Sequence, residues 1–288
     1  FTIDPSDARD FDDAISVKFL ANKNILIGIH IADVSHYVKS SSEIDKEAFL
    51  RSFSVYFPGK VIPMLPEKIS NFLCSLRPQE DKLTFSVELE ISEFSKIESV
   101  WIGPAIINSN KRFSYKEAED LILTQKGDYA TELGALNKIA ENFRLNRIKQ
   151  GSIDFERTDV AFSLNKKGEP ISVERKCPLH AHKLVEEFML LANKIIAEKL
   201  SNLQLSVYRV HDLPDIQKLN DLSNYLKAIK PKLNIHKFSQ KNSVQKINKL
   251  LKTNSSSVEN LILRCMAKAK YSTKNIGHYG LGFSKYTH

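Results

Sequence analysis

Five aspartates fall within the first thirteen residues, in the run Thr2-Ile3-Asp4-Pro5-Ser6-Asp7-Ala8-Arg9-Asp10-Phe11-Asp12-Asp13, and Asp10, Asp12 and Asp13 crowd against an apolar, β-rich stretch. Carboxylates forced that close repel one another and raise each other's pKa values unless a cation compensates them. An all-oxygen donor set suits a hard divalent ion, and Mg²⁺ is the first expectation. A calcium loop of EF-hand type does not fit, because no glycine follows these aspartates at the required step. A solvated acidic turn is the plain alternative, since Asp is a common turn residue and charge runs are usually wet surface. If the segment is extended, Asp10 and Asp12 point the same way and Asp13 points away. A bend or bulge is therefore needed for Asp4, Asp10, Asp12 and Asp13 to converge.

The elements that must hold this knot are legible on either side of it. Ala14 to Leu20, the polar triplet Asn22-Lys23-Asn24 and Ile25 to Ile31 read as a β-hairpin with the aspartates at its mouth. Leu83, Phe85, Val87, Leu89 and Ile91 alternate with Thr84, Ser86, Glu88 and Glu90, which predicts a strand with one wet face. Lys96 to Ile107 reads as its antiparallel partner. Ser114-x-x-Glu117 is a capping-box pattern opening a short helix. A helix over 132–150 stops at Gly151, a strand pair follows near Val160–Phe162 and Ile171–Val173, and a long helix spans His180 to Leu200. Beyond Asp212 the chain is helix-like and lysine-rich through Lys252. The fold class expected is α+β, a mostly antiparallel sheet core with helices packed around it, in one domain over residues 1–288.

Composition narrows the function classes. The 288 residues carry a formal net charge of +8, so an acidic knot that suits a metal sits in a body that attracts polyanions. No apolar run approaches the ~20 residues of a membrane-spanning helix. The three cysteines, Cys74, Cys177 and Cys265, are widely separated and form no C-x-x-C pair, which predicts a reducing, cytoplasmic setting without a disulfide framework or zinc ribbon. The chain starts at Phe1, directly in a strand-like stretch, and reads as a piece of something longer.

The order of residues in the knot resembles the catalytic (RNB) domain of the ribonuclease II/R exoribonucleases, closest to the ribonuclease R branch. The match continues in His30-Ile31-Ala32-Asp33-Val34-Ser35-His36-Tyr37-Val38, in Ser54-Val55-Tyr56-Phe57-Pro58 and Val61-Ile62-Pro63-Met64-Leu65-Pro66, and in Tyr208-Arg209-Val210-His211-Asp212. It ends in His278-Tyr279-Gly280-Leu281-Gly282-Phe283 and Tyr286-Thr287-His288. The resemblance implies Mg²⁺-dependent hydrolysis of single-stranded RNA from a free 3′ end, releasing nucleoside 5′-monophosphates, by a monomer with no membrane partner. It implies that Asp4, Asp10 and Asp13 hold Mg²⁺ and that Asp12 is the carboxylate whose loss stops cleavage but spares RNA binding. It makes Tyr56 the ring that packs at the 3′ end of the strand, a sequence-tolerant contact. Arg209, His211, His278 and Tyr279 lie in its motifs as RNA-binding candidates, and Asp33 and His36 as possible channel residues.

Weaker signals stand beside these. His182 and Glu186 are four apart on a helix and lack an evident third metal ligand. Tyr286 and His288 extend the aromatic tail, and the lysines from Lys218 to Lys252 suit either a phosphate backbone or a solvated face. Family members continue past Tyr-Thr-His into Phe-Thr-Ser-Pro-Ile-Arg-Arg-Tyr-Pro-Asp-Leu, whose arginine is placed on the scissile phosphate, and carry cold-shock-type and S1 domains. The expectation is thus a catalytic domain incomplete at its C-terminus. Two rivals are an inactive RNA-binding fragment or remnant, and a metal-binding structural domain without an RNA partner.

Overall fold

The computed structural model describes residues 1–155, 159–165, 167–203, 206–229, 238–239, 243–253 and 256–288. The chain forms two compact units, one of Phe1–Glu141 with Arg157–Phe188 and one of Asn142–Glu156 with Met189–His288.

The first unit opens with strands β1 (Thr2–Asp4), β2 (Asp13–Phe19) and β3 (Ile25–Ala32). β2 and β3 pair antiparallel from Asp13↔Ile31 to Phe19↔Ile25, and Lys23 takes the left-handed turn conformation at φ 66°. The turn is tied down because Asn22 and Asn24 donate their side-chain amides to Glu90 Oε1 at 3.0 and 2.7 Å. This is the hairpin that the sequence predicts. Helices α1 (Val34–Tyr37) and α2 (Glu43–Arg51) follow, then a second hairpin of β4 (Val55–Phe57) and β5 (Lys60–Ile62). Strands β6 (Asp81–Ile91) and β7 (Ile97–Asn108) complete an antiparallel sheet in the order β2-β3-β6-β7. Strand β8 (Arg112–Ser114) then pairs in parallel with β1, the one parallel strand pair among the described residues. Helix α3 (Tyr115–Thr124) begins at Ser114 with both halves of the capping box formed with Glu117. Helix α4 (Ala130–Lys149), the hairpin of β9 (Asp159–Leu164) and β10 (Pro170–Lys176), and helix α5 (His180–Leu200) lie where periodicity places them.

The two faces of β6 differ from expectation. Val87, Leu89 and Ile91 are buried as the alternation requires, but Thr84 and Ser86 on the supposedly wet face are 1 % and 0 % exposed, and Phe85 is 46 % exposed. The polar residues tolerate burial because they satisfy one another. His30 Nδ1 lies 2.8 Å from Ser86 Oγ, His30 Nε2 2.9 Å from Ser16 Oγ, and Thr84 Oγ1 2.9 Å from Ser86 Oγ. Burial lowers the His30 pKa to about 4, so at neutral pH the ring is uncharged, one nitrogen donating and the other accepting. Gly28 makes room for this bridge, since a Cβ there would meet Ser16 Oγ at 2.4 Å and His30 Nε2 at 2.5 Å. Gly28→Ala should therefore cost about 1–3 kcal/mol of stability by overpacking and loss of a buried hydrogen bond. Urea unfolding measures this; an unchanged midpoint would show that the bridge can shift at no cost.

The second unit takes the C-terminal parts of α4 and α5 and adds β11 (Tyr208–Val210), helices α6 (Ile216–Ile229), α7 (Ser243–Thr253) and α8 (Ser256–Cys265), and β12 (Lys270–Ser272). Leu219, Leu222 and Leu226 of α6, Ile247 and Leu250 of α7, and Val258 and Ile262 of α8 form its apolar core. Each set falls at helical spacing, so the lysines interleaved with them occupy the outer faces. Of the lysine run, Lys230, Lys232, Lys237 and Lys241 lie outside the described residues. No described helix is long and apolar enough to cross a membrane.

Candidate active site

β1 is buried along its length, which brings Asp4 to the edge of the interior at 8 % exposure. The chain then turns, with Ala8 N donating to Pro5 O at 3.1 Å, and reaches Phe11, which is buried with Ala14, Ala32, Ile69, Cys74 and Leu76. Because Phe11 points inward, its neighbours Asp10 and Asp12 are directed outward, as the extended spacing implies. Ser75, fully buried, fixes this stretch from one side: Phe11 N donates to Ser75 Oγ at 3.1 Å and Ser75 Oγ donates to Arg9 O at 2.8 Å. Leu76 N donates to Phe11 O at 2.9 Å, and Ala32 N donates to Asp12 O at 2.9 Å. Asp13 then enters β2. The bend that the sequence left open is thus made by backbone and Ser75 contacts around an anchored phenylalanine.

The carboxylates are electrostatically coupled. Burial, followed by the charges of Asp12 and Asp10, raises Asp4 to about 6, although the Thr2 side chain and the Arg112 guanidinium act in the opposite sense. Burial, then Asp4 and Asp12, raises Asp13 to about 7. Asp12, at the exposed rim, is also raised, by desolvation and then by Asp10. Asp4 Oδ2 is buried without a hydrogen-bond partner. An orphaned carboxylate oxygen among mutually repelling carboxylates is chemically suited to a hard divalent cation, so the donor set fits such an ion. The side chains are not drawn into finished coordination, because no group of three or more His, Cys, Asp or Glu among the described residues is arranged to hold a metal.

This coupling predicts a pH dependence. Folded pKa values of about 6 for Asp4 and about 7 for Asp13 lie above the unfolded value of about 4. Their stabilising contribution is present at low pH and is lost as pH rises through the folded values. His30 acts in the opposite sense, since its lowered pKa costs stability as pH falls below about 6.5. The metal-dependent difference isolates the aspartates: Mg²⁺ should raise the melting temperature more at about pH 8 than at about pH 5. Thermal melts with and without Mg²⁺ read this directly, and equal shifts at the two pH values would contradict the coupling.

Tyr56 lies on β4 opposite Val61 and is 70 % exposed, an open ring in a hairpin held by Met64 N donating to Ser54 Oγ at 2.9 Å. Asp33 is the N-cap of α1, its Oδ1 accepting from His36 N at 3.2 Å, and the His36 ring packs edge-on against Tyr37. His182 stacks on Tyr115 at 3.8 Å with its Nδ1 accepting from Leu179 N, so packing and a backbone bond occupy it. Tyr115 escaped the sequence reading. Its hydroxyl is pushed up to about 12 by burial and by the charges of Asp13 and Asp4, which places it beside the knot. Its one sequence signal was its place directly after the N-cap Ser114. Ser75 and Arg112 were missed as well, because their contacts to the loop are far away in sequence.

In the second unit the candidates turn inward. His211 Nε2 donates to Ala267 O at 2.8 Å and its Nδ1 accepts from Gly280 N at 2.9 Å, leaving no ring nitrogen for an RNA. His278 Nδ1 accepts from Leu281 N at 3.2 Å, and burial followed by the nearby His211 lowers its pKa to about 4. Tyr279 shares a 2.7 Å hydrogen bond with Ser243 and packs on the helical core, and Tyr286 is 5 % exposed. His288 lies near the Tyr286 ring. Beside the RNA roles expected of them, His211 and Tyr279 have internal hydrogen-bond partners for their polar atoms. Arg209 differs: it lies over the Tyr271 ring at 4.6 Å, and that ring is 61 % exposed.

Comparison with known proteins shows the family. A family model described as the RNB domain matches residues 1–288. Ribonuclease R of Thermotoga maritima is 41 % identical over 299 residues, covering all of this chain and 42 % of the relative. Ribonuclease R of Aquifex aeolicus is 38 % identical over 301 residues, with the same coverage of 100 % and 42 %. The chain thus spans less than half the length of these curated relatives. Among solved structures, Mycoplasma genitalium RNase R in complex with ribose-methylated single-stranded RNA matches with a TM-score of 0.89 at 32 % identity, over 100 % of this chain and 46 % of that one. Yeast Ssd1, a pseudonuclease, matches at a TM-score of 0.78 over 100 % of this chain and 36 % of that one; at 20 % identity the likeness is one of fold.

Proposed function

Because this chain belongs to the RNB-domain family, we propose that it supplies the catalytic centre of a Mg²⁺-dependent 3′-to-5′ exoribonuclease that releases nucleoside 5′-monophosphates. The observation that carries the reading is the coupled carboxylate knot, with the buried and unpartnered Asp4 Oδ2 beside the raised Asp13. Asp4, Asp10 and Asp13 hold the ion. Bound there, Mg²⁺ supplies water activation and charge stabilisation on the phosphate and the leaving 3′-oxygen. Asp12, at the exposed rim, is the carboxylate on which cleavage, but not RNA binding, depends. Tyr56 stacks on the 3′-terminal base, and because every base has a π-face the contact accepts any sequence. Arg209, lying over the exposed Tyr271 ring, is a further RNA contact, with His211, His278 and Tyr279 close to it in the same unit.

The substrate is single-stranded RNA with a free 3′ end. The Mycoplasma genitalium relative was solved with single-stranded and with double-stranded RNA, which supports RNA as the partner class. The protein acts as a monomer in the cytoplasm, where unpaired cysteines stay reduced. The test is the fate of 5′-labelled single-stranded RNA given to the full-length protein with Mg²⁺. Progressive shortening from the 3′ end is expected; RNA that is retained but stays full-length would make the protein a non-catalytic RNA binder.

A further inference from the structure

Arg112 carries no motif, yet it touches both ends of the acidic loop. It lies on β8 in register with Thr2 of β1. Its Nη2 donates to Pro5 O at 2.6 Å and to Ser6 O at 2.9 Å, the two carbonyls that follow Asp4. Its guanidinium carbon is 5.3 Å from the ring centroid of Phe11, the residue between Asp10 and Asp12. One planar group therefore pins the loop where it leaves Asp4 and again where it presents Asp10 and Asp12. Both hydrogen bonds come from Nη2, so a lysine ammonium could supply the charge and the donors but not the flat face laid against Phe11. Without this clamp the residues between β1 and β2 would regain conformational freedom, and that entropy would have to be lost on binding an ion.

We propose that Arg112 is a positioning residue for the metal, closing the Pro5–Phe11 loop so that Asp4, Asp10 and Asp13 arrive together while it contacts neither the ion nor the RNA. Ser75 holds the same loop through Arg9 O and Phe11 N, so the loop has two anchors from distant parts of the chain. The inference rests on the reading of these aspartates as metal ligands.

The test uses the full-length protein and its R112K and R112M variants. Mn²⁺ binding is titrated by electron paramagnetic resonance without RNA, RNA affinity is measured in EDTA, and the cleavage rate is followed against Mg²⁺ concentration. R112M should bind Mn²⁺ about 10- to 100-fold more weakly, the usual cost of losing a group that orients ligands, and R112K should be weakened by a smaller factor. Raising Mg²⁺ should restore most of their rate, and their RNA affinity should stay within about twofold of wild type, since phosphate contacts elsewhere set it. Wild-type Mn²⁺ affinity in R112M, or in R112K if R112M does not fold, would overturn the proposal. Equal loss of RNA affinity and metal affinity, with a lowered melting temperature, would make Arg112 merely structural. If R112M fails to fold by circular dichroism, R112K decides. A wild-type protein that binds no Mn²⁺ would overturn the metal reading itself, and this inference with it.

Discussion

An Asp12→Asn protein should hold single-stranded RNA as tightly as wild type and cut it at least about 100-fold more slowly, the scale of loss when one aligned polar group leaves a reaction centre. The amide matches the carboxylate in shape, and Asp12 is exposed, so the fold has little to lose. Chemically it loses the ability to accept a proton or to orient water through a negative oxygen. The metal site should persist, because Asp12 contributes to the raised pKa of Asp13 and its removal eases that repulsion. Paired filter-binding and single-turnover cleavage assays separate the two effects. Loss of binding together with cleavage would take the role away from Asp12 and make it a structural member of the knot.

Tyr56→Ala should raise KM for short RNA by roughly 5- to 150-fold, corresponding to about 1–3 kcal/mol of base stacking. With the ring 70 % exposed, its removal opens no cavity and stability should not change. The penalty should shrink as the RNA lengthens and gains contacts elsewhere on the protein. Tyr56→Phe keeps the π-face and should behave as wild type. A phenylalanine variant as impaired as the alanine variant would move the function from the ring to the hydroxyl, and an unimpaired alanine variant would remove Tyr56 from the site.

The contrast between these exposed residues and their supports shows what a sequence can reveal. The β2–β3 hairpin, the capping box at Ser114 and the span of α5 were legible because periodicity, turn chemistry and caps are local signals. The β1–β8 pair was not, because strands of three residues carry no usable period. The acidic knot announced itself through charge density, but the contacts that bend it come from Ser75 and Arg112, the latter 107 residues from Pro5. The wet face assigned to β6 holds at the partly exposed Glu88 and Glu90 but not at Thr84 and Ser86, polar residues made buriable by His30 on the neighbouring strand, a partnership to which alternation within one strand is blind. His211 and Tyr279 were drawn toward RNA by the motifs that contain them. Their internal hydrogen bonds join them to residues far away in sequence, which the motifs alone do not reveal.

The central claim is that the knot, loaded with Mg²⁺, removes nucleotides one at a time from an RNA 3′ end. It is tested most directly by giving the full-length protein single-stranded RNA labelled on its last nucleotide, with Mg²⁺ or with EDTA, and identifying the first labelled product. Labelled nucleoside 5′-monophosphate should appear with Mg²⁺ ahead of any shortening at the 5′ end, and none should appear with EDTA. Label that stays on full-length RNA with Mg²⁺ present, or that first emerges on longer fragments, would contradict the account.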